Sequence, residues 1–182
     1  MISLEAERLL LRNFTMDDLA DMLEISQQYE QTEMAQYDHQ FPQTKEGMKE
    51  VMEFLSSGDS FAAVVYKENQ KVIGLIQFQR KDKFPDEIVH GFGYIFNSDY
   101  QGKGYALEAC RKALEFLFEE LKIDRCIAGT AAVNSRSIKL LEKLGFKQIN
   151  QKTAHFRQDS KGKPIEFLSL EFELTVDNWK KI

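Results

Sequence analysis

Gln101, Gly102, Lys103, Gly104, Tyr105 and Ala106 run together between a segment that reads as a strand and one that reads as a helix. Glycines let backbone amides approach an anion closely, and a helix N-terminus adds about half a positive charge. Together they can cradle a phosphate, to which Lys103 adds a full charge. The same residues also fit a plain surface loop. No Gly-Lys-Ser/Thr follows at P-loop spacing, and the third glycine and acidic partner of a dinucleotide fingerprint are missing. A second polar group, Asn134-Ser135-Arg136-Ser137, stands about thirty residues later at another strand-to-helix junction. His90 lies on the strand before the glycines, and imidazole suits proton transfer near neutral pH. A hydrogen-bonded structural histidine explains the same position.

Positioning these groups takes an alternating chain of strands and helices. Residues 8–12 form a short apolar run suited to a first strand. Thr15 offers an N-cap, and Leu19, Met22, Leu23 and Ile25 stripe the helix after it. A polar and aromatic connection with Tyr29, Tyr37, His39 and Phe41 leads to a second helix near Thr44, ended at Gly58. Residues 61–66 and 72–78 read as a hairpin, and residues 88–96 as a central strand. A long helix follows Gly104, with Ala106, Leu107, Cys110, Ala113, Leu114, Leu117 and Phe118 expected to face inward. Then come a strand at 125–132, a helix at 135–144 capped by Gly145, and strands at 146–156 and 165–174 around an Asp159–Gly162 turn. This order, βααβββαβαββ, is an α/β arrangement on a mixed sheet (α+β in some schemes), expected as a single domain over residues 1–182.

Composition narrows the function. The 182 residues are 43% hydrophobic and 29% charged, ordinary for a globular protein. No apolar run approaches the roughly 20 residues of a spanning helix, and acids interrupt the start where a signal peptide needs an apolar core. No membrane role and a cytoplasmic location are expected. Cys110 and Cys126 read as buried small hydrophobes, and the three histidines lack metal-ligand spacing, so no metal is expected. A net charge of −5 argues against nucleic acid. Between Thr15 and Asp59 there are 11 acids and only Lys45 and Lys49. Plain solubility explains such a surface, and so does a cationic ligand.

Gln101-x-x-Gly104-x-Ala106 resembles the pyrophosphate-binding signature of the GNAT superfamily of acyl-CoA-dependent N-acetyltransferases. Asn134 followed by a helix ending in Leu144-Gly145-Phe146 is similar to that family's second hallmark. Gly93-Tyr94-Ile95-Phe96 fits the strand before the cradle. The ending Phe167-Leu168-Ser169-Leu170, with Trp179 after it, is similar to the RimJ/RimL-like branch.

The resemblance implies the GNAT fold: a mostly antiparallel sheet of about seven strands flanked by helices, with two parallel central strands splayed to hold acetyl-CoA as cosubstrate. Tyr94, Ile95 and Phe96 would carry the pantetheine arm, with Asn134 opposite. Amides of Gly102, Lys103, Gly104, Tyr105, Ala106 and Leu107, beside Gln101, would take the pyrophosphate. The family's tyrosine seven residues after the Asn is replaced here by Leu141, so the branch's serine, Ser137, becomes the expected acid. His90 is the candidate base, with Glu87 and Glu33 in reserve and bulk water as the alternative to any protein base. Tyr37, Glu33 and His39 would line the acceptor site for a small-molecule amine or a peptide N-terminus. A monomer or homodimer is expected. A non-catalytic acyl-CoA-binding module is the alternative.

Overall fold

Residues 1–181 are described by the computed structural model. The elements are β1 (Ser3–Glu5), β2 (Leu9–Arg12), α1 (Leu19–Glu30), α2 (Lys45–Ser56), β3 (Phe61–Tyr66), β4 (Lys71–Gln77) and β5 (Val89–Phe96). They continue with α3 (Tyr105–Glu115), β6 (Arg125–Ala131), α4 (Ser135–Lys143), β7 (Lys147–Ala154), β8 (Phe167–Thr175) and the single turn α5 (Val176–Trp179). The eight strands form one sheet in the order β1-β2-β3-β4-β5-β6-β8-β7. Every pairing is antiparallel except β5 with β6. No helix among the described residues is long and apolar enough to cross a membrane.

The sheet has eight strands rather than about seven because Ser3–Glu5 folds back on β2, with Ala6 N–H donating to the Leu9 carbonyl at 2.9 Å. Three residues with one buried side chain, Leu4, carry too short a period to be read from sequence. Thr15 caps a 3-10 turn, Met16–Asp18, that runs into α1, where Asp18 accepts from the Thr15 N–H at 2.8 Å and pairs with Arg12 at 2.7 Å. Gly145 ends α4 at φ 86°, the left-handed conformation that glycine adopts without strain.

Strand alternation sends side chains to two cores. Leu9, Leu11, Val64, Phe92 and Phe172 pack under α3 and α4, while Ala63, Val65, Val72 and Leu75 meet Met22, Ile25, Met48 and Met52 of α1 and α2. A bulge at Ile73, opposite Val64 and Val65, breaks that alternation, so Ile73 and Ile76, three residues apart, share the α3 core while Val72 and Leu75 share the other. The buried face of α3 runs through Tyr105, Ala109, Cys110, Ala113 and Leu114, with Leu117 and Phe118 beyond. Ala106 and Leu107, expected inside, are only half-buried because the first turn meets the glycine loop rather than the sheet centre. Cys110 and Cys126 are fully buried free thiols, and burial pushes both well above the usual thiol range.

Candidate active site

β5 and β6 pair in parallel from Val89↔Arg125 to Phe92↔Ala128 and then separate. Beyond that point Gly93–Phe96 pairs only with β4, and Gly129–Ala131 only with β8. The direction of the freed backbone groups follows from the ladder. Gly91 N–H bonds the Gln79 carbonyl at 2.8 Å and Asn97 N–H bonds the Ile73 carbonyl at 2.9 Å, so odd residues of β5 face β4. Alternation turns the N–H and C=O of Tyr94 and Phe96 into the gap. On the other wall Ala132 N–H bonds the Leu168 carbonyl at 2.8 Å, which turns Gly129 and Ala131 toward the gap. Two carbonyls there already have partners: Asn134 N–H holds that of Ala131 at 2.8 Å, and Gln101 Nε2 holds that of Phe96 at 3.1 Å. The Tyr94 peptide groups, the Phe96 N–H and the Ala131 N–H remain, and groups like these need hydrogen-bond partners.

Both helices that follow the separated strands start at the gap. A 3-10 turn, Ser98–Tyr100, leads from β5 to Gly102 and Gly104, which have φ of 76° and 85°. Gly104 is the N-cap of α3, and Glu108 N–H is the first to bond within the helix, to the Gly104 carbonyl at 3.1 Å. The N–H groups of Tyr105, Ala106 and Leu107 therefore form the open donor set of a helix N-terminus. The approach is braced from α1. Buried Asn97 donates to Glu24 at 2.8 Å, and Ser98 N–H donates to Gln28 at 2.9 Å.

The sequence-derived residues divide by where the structure puts them. Gln101 is committed internally: besides the Phe96 carbonyl, its Oε1 accepts from Arg136 at 3.0 Å. It ties the glycine turn to β5 and α4. Lys103 donates to the Asp99 carbonyl at 3.0 Å, with its ammonium 5.4 Å from the Tyr100 ring centre. The side chain of Asn134 caps α4 by accepting from Ser137 N–H at 3.2 Å. Ser137 Oγ lies 2.9 Å from Tyr94 Oη, a contact that neither residue's neighbours in sequence announce. Burial raises the Tyr94 phenol above its ordinary value, so it holds its proton at neutral pH. Leu141 is buried in the α3 core.

His90 is two residues short of the gap, opposite Cys126 on the paired stretch. Its Nδ1 lies 2.8 Å from the Phe78 carbonyl and so carries the proton, leaving Nε2 as the acceptor. Burial lowers its pKa, and the ring is neutral at pH 7. Glu87 is paired with Arg125 at 2.7 Å.

The connection between α1 and α2 meets the β7–β8 hairpin. Tyr37 packs on Phe167 at 5.3 Å between ring centres, and His39 on Phe156 at 4.4 Å. Phe167 follows the Ala132–Leu168 contact in register, so this aromatic cluster stands beside the mouth of the gap. Glu33 lines a neighbouring cavity of about 500 Å³ with Glu30, Gln36, Phe156 and Arg157.

Arg157 fastens the hairpin to the end of α1 and the connection after it, holding Glu30 with two bonds of 2.7 and 2.8 Å and donating to the carbonyls of Asp38 at 2.7 Å and His39 at 3.0 Å. Its hydrogen bonds hold the Glu30 carboxyl below the usual glutamate range. Arg157→Ala is expected to cost about 2–3 kcal/mol in chemical denaturation, since it strands a largely buried carboxylate. In the wild type this contribution is complete above the ordinary glutamate pKa of about 4.3 and fades as pH falls through the lower folded value. The variant should show a correspondingly shallower acid limb.

The acetyltransferase (GNAT) domain family matches residues 8–147. The uncharacterized N-acetyltransferase p20 of Bacillus licheniformis is 30% identical over 154 residues, 81% of this chain and 84% of that protein. The uncharacterized N-acetyltransferase YnaD of Bacillus subtilis is 34% identical over 85 residues, so this match spans 47% of the chain and about half, 48%, of the relative. Among solved structures, a GNAT-family acetyltransferase from Bacillus anthracis superposes with a TM-score of 0.80 at 23% identity, covering 97% of this chain and 99% of that one. A spermidine N-acetyltransferase from Vibrio cholerae, in complex with CoA and spermine, gives 0.75 at 16% identity, covering 95% and 98%. With the family matched over most of its length and the splayed strands in place, the chain belongs to the GNAT family of N-acetyltransferases.

Proposed function

We propose that the protein moves an acetyl group from acetyl-CoA to a primary amine by direct attack, with both substrates held together in the gap. The observation that carries the reading is the break in β5–β6 pairing after Phe92, with unpaired backbone groups on its walls and a glycine-bounded helix N-terminus at its end. Those residues fit the coenzyme: Tyr94 and Ala131 offer peptide groups to the pantetheine amides, Phe96 N–H is left for the thioester carbonyl, and Gly102 to Leu107 offer N–H donors to the diphosphate. Ile95 lends its backbone to the wall, and Asn134 sets the start of α4. When bound, the coenzyme supplies an activated thioester, so no enzyme nucleophile is required. The inert, buried thiols accord with that.

Three tasks remain for the chain. Holding the reactants in register lowers the barrier, by roughly 7–11 kcal/mol in well-oriented systems. Phe96 N–H is the donor for oxyanion charge. Ser137 Oγ supplies the proton for the departing sulfur, with the protonated Tyr94 phenol as its hydrogen-bond partner. His90 Nε2 is the available basic atom, acting through water. Its place on the paired stretch leaves bulk water as its competitor.

A cationic acceptor (a peptide N-terminus, polyamine or amino-sugar) is favoured by Glu33 and the aromatic rings of Tyr37 and His39 beside the gap mouth. Much of the wider acidic surface is neutralised within the fold, where Asp18 meets Arg12, Asp21 and Glu24 meet Lys71, and Glu30 meets Arg157. The acceptor reading therefore rests on the groups at the gap mouth rather than on net charge. Calorimetric titration with acetyl-CoA, followed by turnover on peptide, polyamine, aminoglycoside and anionic acceptors, tests both parts. Activity confined to anionic acceptors would overturn the cationic assignment, and absence of acetyl-CoA binding would overturn the whole. Ser137→Ala should lower kcat about 10²-fold while leaving the Kd for acetyl-CoA within about twofold.

A further inference from the structure

Arg8 enters the chain before β2, far in sequence from the glycine loop, yet its side chain reaches that loop. Its Nη1 donates to the Lys103 carbonyl at 3.1 Å. Its Nε and Nη2 both reach Glu108 Oε2 at 2.7 Å, and its own backbone N–H donates to Glu108 Oε1 at 2.7 Å. The guanidinium carbon lies 4.4 Å from the centre of the Tyr105 ring. An added Cβ on Gly104 would sit 3.4 Å from Arg8 Nη2. One side chain thus grips the turn before α3 and the residue that closes the helix's first turn.

The peptide plane gives this grip a direction. No peptide bond among the described residues is cis, so the carbonyl of Lys103 and the N–H of Gly104 point opposite ways on one rigid unit. Holding the carbonyl toward Arg8 aims the Gly104 N–H away from it, on the open side of the turn. Gly104 has no side chain to stabilise φ 85° and, being glycine, has the widest choice of alternatives. Arg8 also neutralises Glu108, whose carboxylate would otherwise stand unpaired in the first turn and repel an anion there.

We infer that Arg8 is a positioning residue for the diphosphate cradle: through the Lys103 carbonyl and Glu108 it fixes the peptide that presents the Gly104 N–H and removes a competing negative charge. The inference rests on the proposed coenzyme reading of that loop. It requires no contact between Arg8 and the coenzyme.

The test compares two acetyl donors that differ in whether they reach the cradle: acetyl-CoA, and acetyl-pantetheine, which has no diphosphate. Arg8→Ala should raise the calorimetric Kd for acetyl-CoA by about tenfold or more, while kcat/KM with acetyl-pantetheine stays within about twofold of wild type. Arg8→Lys keeps the charge but cannot hold Glu108 and the Lys103 carbonyl in one fork, so it should recover less than half of the loss. Should Arg8→Ala fail to fold, Arg8→Gln carries the same comparison. An equal loss with both donors, an unchanged Kd for acetyl-CoA, or full recovery in Arg8→Lys overturns the inference. A wild-type protein that binds acetyl-pantetheine but gains nothing from the diphosphate removes the cradle reading itself, and this inference with it.

Discussion

Gly104→Val should cut kcat/KM for acetyl-CoA by about 10²–10⁴-fold, with the loss appearing mainly as weaker binding. The residue sits at φ 85°, where a non-glycine residue costs about 1–2 kcal/mol and a β-branched one more. Its new Cβ would lie 3.4 Å from Arg8 Nη2, and valine's methyls extend past that point. Relieving the strain means rotating the peptide between Lys103 and Gly104, which redirects the donors at the start of α3. Losing two hydrogen bonds to a charged group, at about 1.5–3 kcal/mol each, gives the stated range. Stability should fall by no more than that backbone cost, because Gly104 is exposed and no core contact is lost. Gly102→Ala is the control: φ is 76° but a Cβ meets nothing within 4 Å, so only the backbone term is felt. Isothermal titration beside thermal melts separates binding from folding, and a Gly104→Val protein with wild-type affinity would remove the loop from the coenzyme site.

The second large effect is structural and reaches the gap from behind. Gly74 on β4 pairs with Phe96, whose ring lies over it. A Cβ there would stand 2.5 Å from Phe96 Cδ1 and 2.9 Å from the Ile95 carbonyl oxygen. The ring can swing, but the carbonyl belongs to the ladder and cannot yield without moving β5. Gly74→Val should therefore destabilise the protein by about 3 kcal/mol and displace the wall that carries Tyr94 and Phe96. Denaturant midpoints measure the first consequence. A fall in kcat at saturating acetyl-CoA, larger than that caused by an equally destabilising change such as Leu117→Ala in the α3 core, measures the second. Equal kcat in the two variants would show that Phe96 does not set the reaction geometry.

The element order was legible because hydrophobic period and end signals agree along most of the chain. Thr15, Thr44 and Gly145 all stand where helix boundaries fall. The glycine turn before α3 was legible for the same reason, since φ above zero demands glycine and a local demand leaves a local mark. What escaped is whatever depends on distant residues meeting. Nothing near Arg8 marks it as a neighbour of Lys103, and only the fold unites Tyr94 with Ser137 or Arg157 with Glu30. Gln101 illustrates a subtler limit. Its place in the motif was readable, but its commitment to the Phe96 carbonyl and Arg136 was not. The acidic stretch between Thr15 and Asp59 shows a third limit, because summing charges along a chain ignores that Arg12, Lys71 and Arg157 come from outside it.

The sequestered sulfurs have a practical corollary for watching this enzyme at work. Cys110 and Cys126 have no exposed surface and carry thiols that resist ionisation, so a chromogenic disulfide added to the assay has no target on the folded polypeptide. Colour should then track each mole of coenzyme A set free. A late, slow rise of two equivalents per chain would announce unfolding rather than catalysis.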